Sequence, residues 1–281
     1  MSADSRQVYR GMDIATAKPT LEERAAAPHH CLDLVDPDEP FTAADYRRAA
    51  LDALRAIALR GGIALLVGGT GLYLRTIARG LPLSQGDSDP QMRAELEARW
   101  EAEGLDVLVT ELLQRDPEGA AAVDQRNPRR VIRALERAVL TGSARPPAPD
   151  GYPAPVTWLG LRFEPEVHRR RIRERIEEHF AAGLLDEAAG LRERYADDLP
   201  AFTAMGYREA FDVLAGRCSP DEAKARDASR TWSYARRQRT WFRAEPDIAW
   251  LEAGEGILEQ AAGRLAPWLQ GIGRDDYAGR R

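Results

Sequence analysis

Apolar residues recur at helical spacing over residues 42–60, in the sequence TAADYRRAALDALRAIALR. Thr42 stands at the start, where its hydroxyl can cap the free amides of a first helical turn. The next apolar run, Ile63 to Val67, is continuous, and the turn Gly68-Gly69-Thr70-Gly71 leads from it into another amphipathic segment. The pattern predicts helix, buried strand, tight turn and helix, which indicates an α/β core with a site at the carboxyl end of the strand.

The pattern changes near residue 86, where turn residues precede a charged helix. Further helical segments run to VIRALERAVLTG, with Gly142 as a candidate C-cap. A proline-rich linker, ARPPAPDGYPAP, then leads to VTWLGLRF, which is typical of a buried strand. The remainder is mainly helical until IAWLEA, a predicted last strand. We therefore expect a first core part at 1–85, a helical insertion at 86–150 and a second core part at 151–281.

Composition excludes several classes of protein. The chain has 281 residues, of which 44% are hydrophobic and 30% charged, as in globular proteins. No apolar run approaches the roughly 20 residues that span a bilayer, and the first residues lack the apolar stretch of a signal peptide. Cys31 and Cys218 are far apart, which disfavours a disulfide framework and a zinc site. We expect a cytoplasmic protein without a membrane partner.

The net charge of −5 argues weakly against a nucleic-acid partner, but local clusters matter more for phosphate recognition. If Val131, Leu135 and Val139 form the inward stripe of a helix, then Arg129 shares an outward face with Arg133 and Arg137. Such a ladder can bind a nucleic-acid backbone. It can equally be a solvated helix face.

A second cluster lies between Arg226 and Arg243, where six arginines accompany one acid and aromatic residues are interleaved. This composition suits backbone contact with base stacking, and it also suits a core helix with buried aromatics. Core packing is the favoured interpretation for the two tryptophans. Arg236, Arg237 and Gln238 are the better candidates for contact with a partner.

The opening stretch MSADSRQVYRGMDIATAKPT concentrates reactive side chains. Asp4 can accept a proton or hold a metal through water, Ser5 and Gln7 can read a base edge, and Arg6 and Arg10 can hold phosphate. The alternative is an ordinary surface loop. The glycine turn also has two interpretations. Its backbone amides can approach an anion, or the turn can simply connect a strand to a helix.

Taken in order, these segments resemble the tRNA dimethylallyltransferase (isopentenyl transferase) family. The matching segments are ADSRQVYRGMDIATAKPT, PHHCLDLVDPDEPFTAADYRRAA, LLVGGTGLYL, DPQMRAELE, NPRRVIRALE, MGYREAF and SYARRQRTWFR. They run from residue 3 to about residue 243. The resemblance implies a P-loop NTPase-like parallel α/β core with a helical insertion, acting as a monomer.

The resemblance also implies a reaction. The N6 amine of the adenosine immediately 3′ of the anticodon, in tRNAs that read codons beginning with U, attacks the first carbon of dimethylallyl diphosphate, and diphosphate leaves. Asp4 would be the proton acceptor that holds N6, Thr70 would lie at the reaction centre, and Arg208 would face the diphosphate. Mg²⁺ would stabilise the leaving diphosphate.

The same resemblance implies contacts with the tRNA anticodon stem-loop. The implied contact residues are Asp4, Ser5, Arg6, Gln7, Thr70, Arg93, Asn127, Pro128, Arg129, Arg130, Val131, Arg236, Arg237 and Gln238. One small departure is Ala15, where the family usually has glycine, and alanine is tolerated there unless the backbone needs a positive φ.

The larger departure is that members of this family begin with a strand, a G-x-x-x-x-G-K-[ST] loop and a helix. Here the only lysines are Lys18 and Lys224, and neither follows glycine. Because that loop holds the diphosphate, we expect an N-terminally truncated chain with little activity. The main alternative is a non-catalytic tRNA-binding remnant of the family. A P-loop kinase of small molecules is a third hypothesis, in which the arginine helices have no role.

Overall fold

The computed structural model describes residues 1–81, 83, 89–149 and 151–271. These residues form two parallel strands and a larger number of helices. The strands are β1 (Trp158–Arg162) and β2 (Ile248–Glu252). The helices are α1 (Leu21–Ala26), α2 (Ala43–Leu59), α3 (Gly71–Ala78), α4 (Pro90–Glu103), α5 (Leu105–Arg115), α6 (Pro117–Ala121), α7 (Pro128–Thr141), α8 (Pro165–Ala181), α9 (Leu184–Arg192), α10 (Tyr207–Leu214), α11 (Pro220–Arg243) and α12 (Ile257–Gly271).

The chain divides into two compact units. The first contains Met1–Ala78 and Tyr152–Arg281, and the second contains Arg79–Gly151. The domain limits predicted at 85–86 and 150 fall on residues outside those that the structure describes, so these limits stay a prediction. Among the described residues, no helix combines the length and the apolar character needed to cross a membrane.

The strands predicted in VTWLGLRF and IAWLEA are confirmed as β1 and β2. They pair in parallel, with Trp158 opposite Ile248 and Arg162 opposite Glu252. Burial differs between the strands: Leu251 of β2 is buried, whereas its partner Leu161 is 57% exposed and no residue of β1 is buried. The predicted buried character of the strand in VTWLGLRF is therefore wrong. The α/β class is nevertheless confirmed, although the described sheet is small.

The prediction of a buried strand at 63–67 is wrong. Ile63, Leu65 and Val67 are 51%, 70% and 60% exposed, whereas Ala64 and Leu66 pack against the core of the first unit. The segment lies beside residues 1–3: Val67 N donates to Met1 O at 2.9 Å and Ala3 N donates to Val67 O at 2.8 Å. Only alternate side chains face the core because an extended chain turns successive residues to opposite sides.

Helix α2 confirms the helix predicted over 42–60. Thr42 and Asp45 form a capping box at its start, and Tyr46, Ala50 and Leu54, spaced four apart, face the core. The Tyr46 ring stacks on the Tyr73 ring of α3 with centroids 3.8 Å apart. The Tyr46 hydroxyl donates to Ser2 O at 3.0 Å. Helices α2 and α3 are thereby fixed to the first residues of the chain.

The second unit is built around α7. Its Val131 and Leu135 are fully buried with Leu108 and Leu112 of α5, and Gly142 ends the helix at φ +81°, which confirms the predicted C-cap. Val139, predicted to face inward, is 39% exposed, and Ala138 is buried instead. At 3.6 residues per turn, the position seven residues after Val131 lies closer to its face than the position eight residues after it.

Candidate active site

The glycine turn and the first residues of the chain are in direct contact. A Cβ at Gly68 would lie 2.3 Å from Ala3 O, so only glycine fits there. Thr70 N donates to Ala3 O at 3.2 Å, and Ser5 N donates to Thr70 Oγ1 at 3.0 Å. The structure thus brings together two predicted site segments, and the glycines serve this close approach.

Asp4 lies at the centre of this junction. Its Oδ1 accepts hydrogen bonds from Arg6 N at 2.7 Å and from Gln7 N at 3.4 Å. No hydrogen bond to Oδ2 is found in the described part of the chain. Burial raises the pKa of Asp4, and the two backbone hydrogen bonds oppose that rise only in part. A carboxylate with a raised pKa and one unbonded oxygen is suited to accept a proton from a bound molecule.

Ser5, Arg6 and Gln7 follow Asp4, but two of their side chains hold the protein together. Arg6 donates to Pro200 O at 2.9 Å and to Thr203 Oγ1 at 2.9 Å. Gln7 Nε2 donates to Thr16 O at 3.0 Å, and its Oε1 accepts from Ser2 Oγ at 2.7 Å. These bonds fix the loop that carries Asp4.

One face of α11 covers the glycine turn. Tyr234, Gln238 and Trp241 are spaced four and three residues apart and so lie on that face. Gln238 Nε2 donates to Gly69 O at 3.0 Å, and the Tyr234 hydroxyl lies 3.5 Å from the same oxygen. A Cβ at Gly71 would lie 2.1 Å from Trp241 Nε1. Trp241 is only partly buried, so it packs against Gly71 at the edge of the core rather than within it.

Burial is the main cause of a raised pKa at Tyr234, and the charge of Asp4 adds to it. The nearby polar side chains of Thr70 and Gln238 lower this pKa in part. Burial raises the pKa of Tyr73 most, and the nearby Tyr9 and then Asp4 raise it further. Asp4, Thr70, Tyr73 and Tyr234 therefore share one partly buried cluster.

Arg208 stands at the second position of α10 and is exposed. No hydrogen bond or ion pair of its side chain is found among the described residues. Gly206, just before α10, has φ +89°, and a Cβ there would lie 2.6 Å from the Ala15 Cβ. Ala15 itself does not have a positive φ, so the alanine at this position is accommodated.

Arg236 and Arg237 are exposed on α11. The Arg237 guanidinium lies 5.6 Å from the centroid of the Tyr234 ring, so it sits over the residue that contacts the glycine turn. Arg236 makes no side-chain hydrogen bond in the part of the chain that the structure describes. Both guanidinium groups are accessible to a polyanion.

The second unit contains the other candidate contact residues. Arg93 Nη2 donates to Glu136 Oε1 at 3.0 Å, and the Glu136 side chain is completely buried. Asn127 caps α7 by accepting from Arg130 N at 3.3 Å, and Pro128 is the first helical residue. Val131 is fully buried in this structure, and its predicted place in the RNA contact stays a prediction.

The arginines predicted to line one face of α7 differ in their contacts: some bond to other parts of the protein and one does not. Arg133 donates to Glu136 at 2.6 Å and Arg137 donates to Ala144 O at 2.9 Å. Arg130 lies 3.5 Å from Asp124. Arg129 is exposed and has no hydrogen bond or ion pair among the described residues. Of this helix, Arg129 is the side chain most available to a phosphate.

Sequence reasoning missed two residues of the first unit. Lys18 Nζ is buried, and it donates to Tyr9 O at 2.5 Å, to Asp13 at 2.7 Å and to Asp33 at 2.5 Å. The rarity of lysine, which occurs only twice in this arginine-rich chain, is the sequence signal that points to Lys18. Tyr234 was visible only as one of several aromatics, because its partner Gly69 lies 165 residues earlier in the chain.

Among the described residues, no group of three or more His, Cys, Asp or Glu side chains is arranged to hold a metal ion. In Asp4, one oxygen is already bonded to backbone amides. A single remaining carboxylate oxygen does not complete the coordination of Mg²⁺.

Most of the sequence matches a known protein family. Residues 7–245 match the sequence profile described as IPP transferase. The chain belongs to the IPP transferase family. A tRNA dimethylallyltransferase of Geobacter sulfurreducens is 45% identical over 258 residues, which are 90% of this chain and 83% of the relative. One from a Roseiflexus species is also 45% identical, over 96% of this chain and 90% of the relative.

Solved structures agree with this assignment. The tRNA isopentenylpyrophosphate transferase of Bacillus halodurans is 38% identical, with a TM-score of 0.67 over 96% of this IPP transferase and 88% of that chain. A eukaryotic dimethylallyltransferase acting on tRNA is 26% identical, with a TM-score of 0.78 over 100% of this chain and 73% of that chain. The predicted family, its α/β fold and the enzyme class, a transferase, are confirmed.

Proposed function

We propose that this IPP transferase moves a dimethylallyl group from dimethylallyl diphosphate to N6 of the adenosine immediately 3′ of the anticodon, in tRNAs that read codons beginning with U. The tRNA substrate is supported by the names of relatives that are 45% identical. The chemistry is supported by the cluster of Asp4, Thr70 and Tyr234. A tRNA-binding protein without transferase activity is not favoured, because these relatives are named as transferases.

The observation that carries the proposal is that the Ser5 amide joins the Asp4 loop to Thr70, and that both side chains can still accept a hydrogen bond. Asp4 Oδ2 has no hydrogen-bond partner in the described chain. Thr70 Oγ1 accepts one hydrogen bond, from Ser5 N, and a hydroxyl oxygen has two lone pairs. Two such acceptors match an exocyclic amine, which has two N–H groups. Holding both hydrogens leaves the nitrogen lone pair to attack carbon.

In the proposed reaction, the N6 nitrogen forms a bond to the first carbon of the dimethylallyl group while the bond from that carbon to the diphosphate oxygen breaks. The N6 proton passes to Asp4, whose raised pKa fits it for that role. Arg208, exposed at the start of α10, would bind the negatively charged diphosphate. Mg²⁺, when bound with the substrate, would neutralise the same charge.

The tRNA contacts are proposed from exposed side chains. Arg129 in the second unit and Arg236 and Arg237 in the first would contact phosphates. Arg93, Asn127, Pro128 and Arg130 also have structural roles, so their proposed contacts with RNA come in addition to those roles. Ser5, Arg6, Gln7 and Gln238 hold the acceptor loop and the glycine turn in place beside the base.

Two further features belong to the proposal. Asp4, Thr70 and Arg208 all belong to one compact unit of one chain, which supports action as a monomer. A tRNA substrate supports a cytoplasmic location.

The test uses excess protein, labelled dimethylallyl diphosphate and two anticodon stem-loops. One carries adenosine at the target position, and the other carries purine riboside, which lacks the amine. We expect labelling of the adenosine RNA alone and its loss in Asp4→Asn. Labelling of the purine RNA, or equal binding of the two RNAs without labelling of either, would contradict the proposal.

A further inference from the structure

A carboxylate of α9 bonds to two segments that are distant in the sequence. Glu187 Oε2 accepts hydrogen bonds from Asp13 N and from Ile14 N, both at 3.1 Å. Glu187 Oε1 accepts a hydrogen bond from the hydroxyl of Tyr207 at 2.5 Å. Tyr207 is the first residue of α10. One side chain therefore holds both the loop at Asp13 and Ile14 and the start of α10.

The loop that Glu187 holds also supports Asp4. Thr16, two residues after Ile14, accepts a hydrogen bond from Gln7 Nε2 at 3.0 Å. Gln7 N in turn donates to Asp4 Oδ1 at 3.4 Å. The backbone that Glu187 fixes is thereby joined through Gln7 to the proposed proton acceptor.

The other partner of Glu187 stands beside the proposed diphosphate ligand. Tyr207 is completely buried, whereas the next residue, Arg208, is exposed. Successive side chains of a helix are turned by about 100°, so fixing the Tyr207 ring also fixes the direction in which Arg208 leaves α10. Glu209 pairs with Arg230 and holds α10 to α11. The bond from Tyr207 to Glu187 holds α10 to the N-terminal loop as well.

We propose that Glu187 is a positioning residue, which acts through the Tyr207 hydroxyl to place Arg208, and with it the diphosphate, relative to the amine held at Asp4. The attacking nitrogen and the leaving oxygen must lie on opposite sides of the reacting carbon. A misplacement of about 1 Å can cost about a hundredfold in rate. The inference rests on the proposed function, because it concerns the placement of the two substrates of that reaction.

The experiment separates placement from binding and from folding. The rate of label transfer from dimethylallyl diphosphate to the adenosine stem-loop is measured with the 281-residue chain in excess, as the donor concentration is raised to saturation. The Kd of the stem-loop and unfolding in urea are measured for the same variants. A positioning role predicts a lower limiting rate with an unchanged Kd of the RNA. A purely structural role predicts lower stability with the wild-type limiting rate for the folded protein.

We expect Tyr207→Phe to lower the limiting rate about tenfold to a hundredfold, because the ring stays buried while α10 loses its bond to Glu187. Glu187→Met, which also removes the acceptor of Asp13 N and Ile14 N, should lower the rate at least as much. The double variant should be no slower than Glu187→Met alone. Glu187→Gln keeps an oxygen for the two amides and a polar group for the hydroxyl, so it should retain most of the rate. Tyr195→Phe is the matched control and should keep the wild-type rate, because no hydrogen bond of the Tyr195 hydroxyl is found in the described chain.

The outcomes separate the two proposals. If wild type transfers no label to the adenosine RNA, the proposed function fails, and this inference fails with it. If wild type transfers label and Tyr207→Phe reaches the same limiting rate, only the role of Glu187 is overturned. Losses that multiply in the double variant would also overturn it, because they mean that Glu187 does not act through Tyr207. Should Glu187→Met fail to fold, Tyr207→Phe decides alone, because it removes only one oxygen atom.

Discussion

The backbone amide of Ser5 donates a 3.0 Å hydrogen bond to Thr70 Oγ1, which joins residues 65 positions apart in the chain. The bond places the residue next to Asp4 against the glycine turn. The Thr70 hydroxyl therefore stabilises the fold by accepting this hydrogen bond, and the same hydroxyl is the proposed acceptor for the substrate amine.

Thr70→Val should therefore destabilise the protein by about 1–3 kcal/mol, because the part-buried Ser5 amide loses its acceptor. Thr70→Ser keeps the hydroxyl and should lose less than half as much. Urea unfolding of wild type and both variants measures the difference. Equal stability of the valine and serine variants would show that the Ser5 bond contributes nothing.

Gly68 is predicted to be irreplaceable for a reason that has nothing to do with anion binding. An alanine Cβ would lie 2.3 Å from Ala3 O and 2.4 Å from Ala3 C, and backbone atoms cannot move aside cheaply. Gly68→Ala should cost about 2 kcal/mol or more. Gly190→Ala in α9 is the control: nothing lies within 4 Å of its added Cβ, and alanine should stabilise that helix by about 0.5–1 kcal/mol.

Thermal or urea unfolding of the two alanine variants, side by side, tests this. If Gly68→Ala and Gly190→Ala shift stability by the same amount, the close approach of residues 3 and 68 is not what requires glycine. The comparison is sensitive because both variants add one methyl group to the same compact unit.

Local sequence patterns are sufficient to predict a helix and its caps, because these depend on residues close together in the chain. The helix at 42–60 and the C-cap at Gly142 were predicted because caps and apolar spacing are local properties. The exposure of Ile63, Leu65 and Val67 could not be predicted, since it depends on which side of the segment distant parts of the chain cover. A continuous apolar run does not reveal which of its sides is covered.

The candidate site shows the same division. Asp4 and Thr70 were named from the family resemblance, and the structure brings their segments together. Tyr234 was not named as a contact, because its relation to Gly69 spans 165 residues. The second roles of Gln7 and Arg93 were also hidden, since both depend on partners distant in the sequence. Only the three-dimensional structure shows that a candidate contact side chain also holds another part of the protein.

Arg93 and Arg129 offer a test that separates these two uses of arginine. Arg93→Ala removes a partner of the completely buried Glu136 and should destabilise the second unit by about 1–3 kcal/mol, since Arg133 still pairs with that carboxylate. Arg129→Ala should change stability by less than about 0.5 kcal/mol.

If both arginines contact phosphates, both variants should bind the anticodon stem-loop more weakly, with a shallower dependence of log Kd on log salt concentration. Binding is measured at several salt concentrations, at a temperature at which both variants are folded. Wild-type binding by Arg129→Ala would remove that residue from the proposed interface, and unchanged stability of Arg93→Ala would contradict the structural role of its ion pair.

Asp227 of α11 should make stability fall as pH rises. Burial, and then the charge of Glu209, raise its pKa to about 6, while Thr231 Oγ1 donates to it at 3.0 Å. The ordinary value is 3.8, so between pH 4 and 6 the folded protein holds a proton that the unfolded chain releases. The stability contributed by the protonated form is lost as pH rises through about 6.

Asp227→Asn keeps the acceptor for Thr231 and cannot ionise, so it should be more stable than wild type, and the gap should widen by about 1–2 kcal/mol between pH 5 and pH 8. Asp221→Asn on the same helix is the control, because the Asp221 side chain is 96% exposed. Urea unfolding at both pH values measures the gap. A gap that narrows as pH rises, or an equal one for Asp221→Asn, would mean that ionisation of a buried Asp227 is not what destabilises the protein.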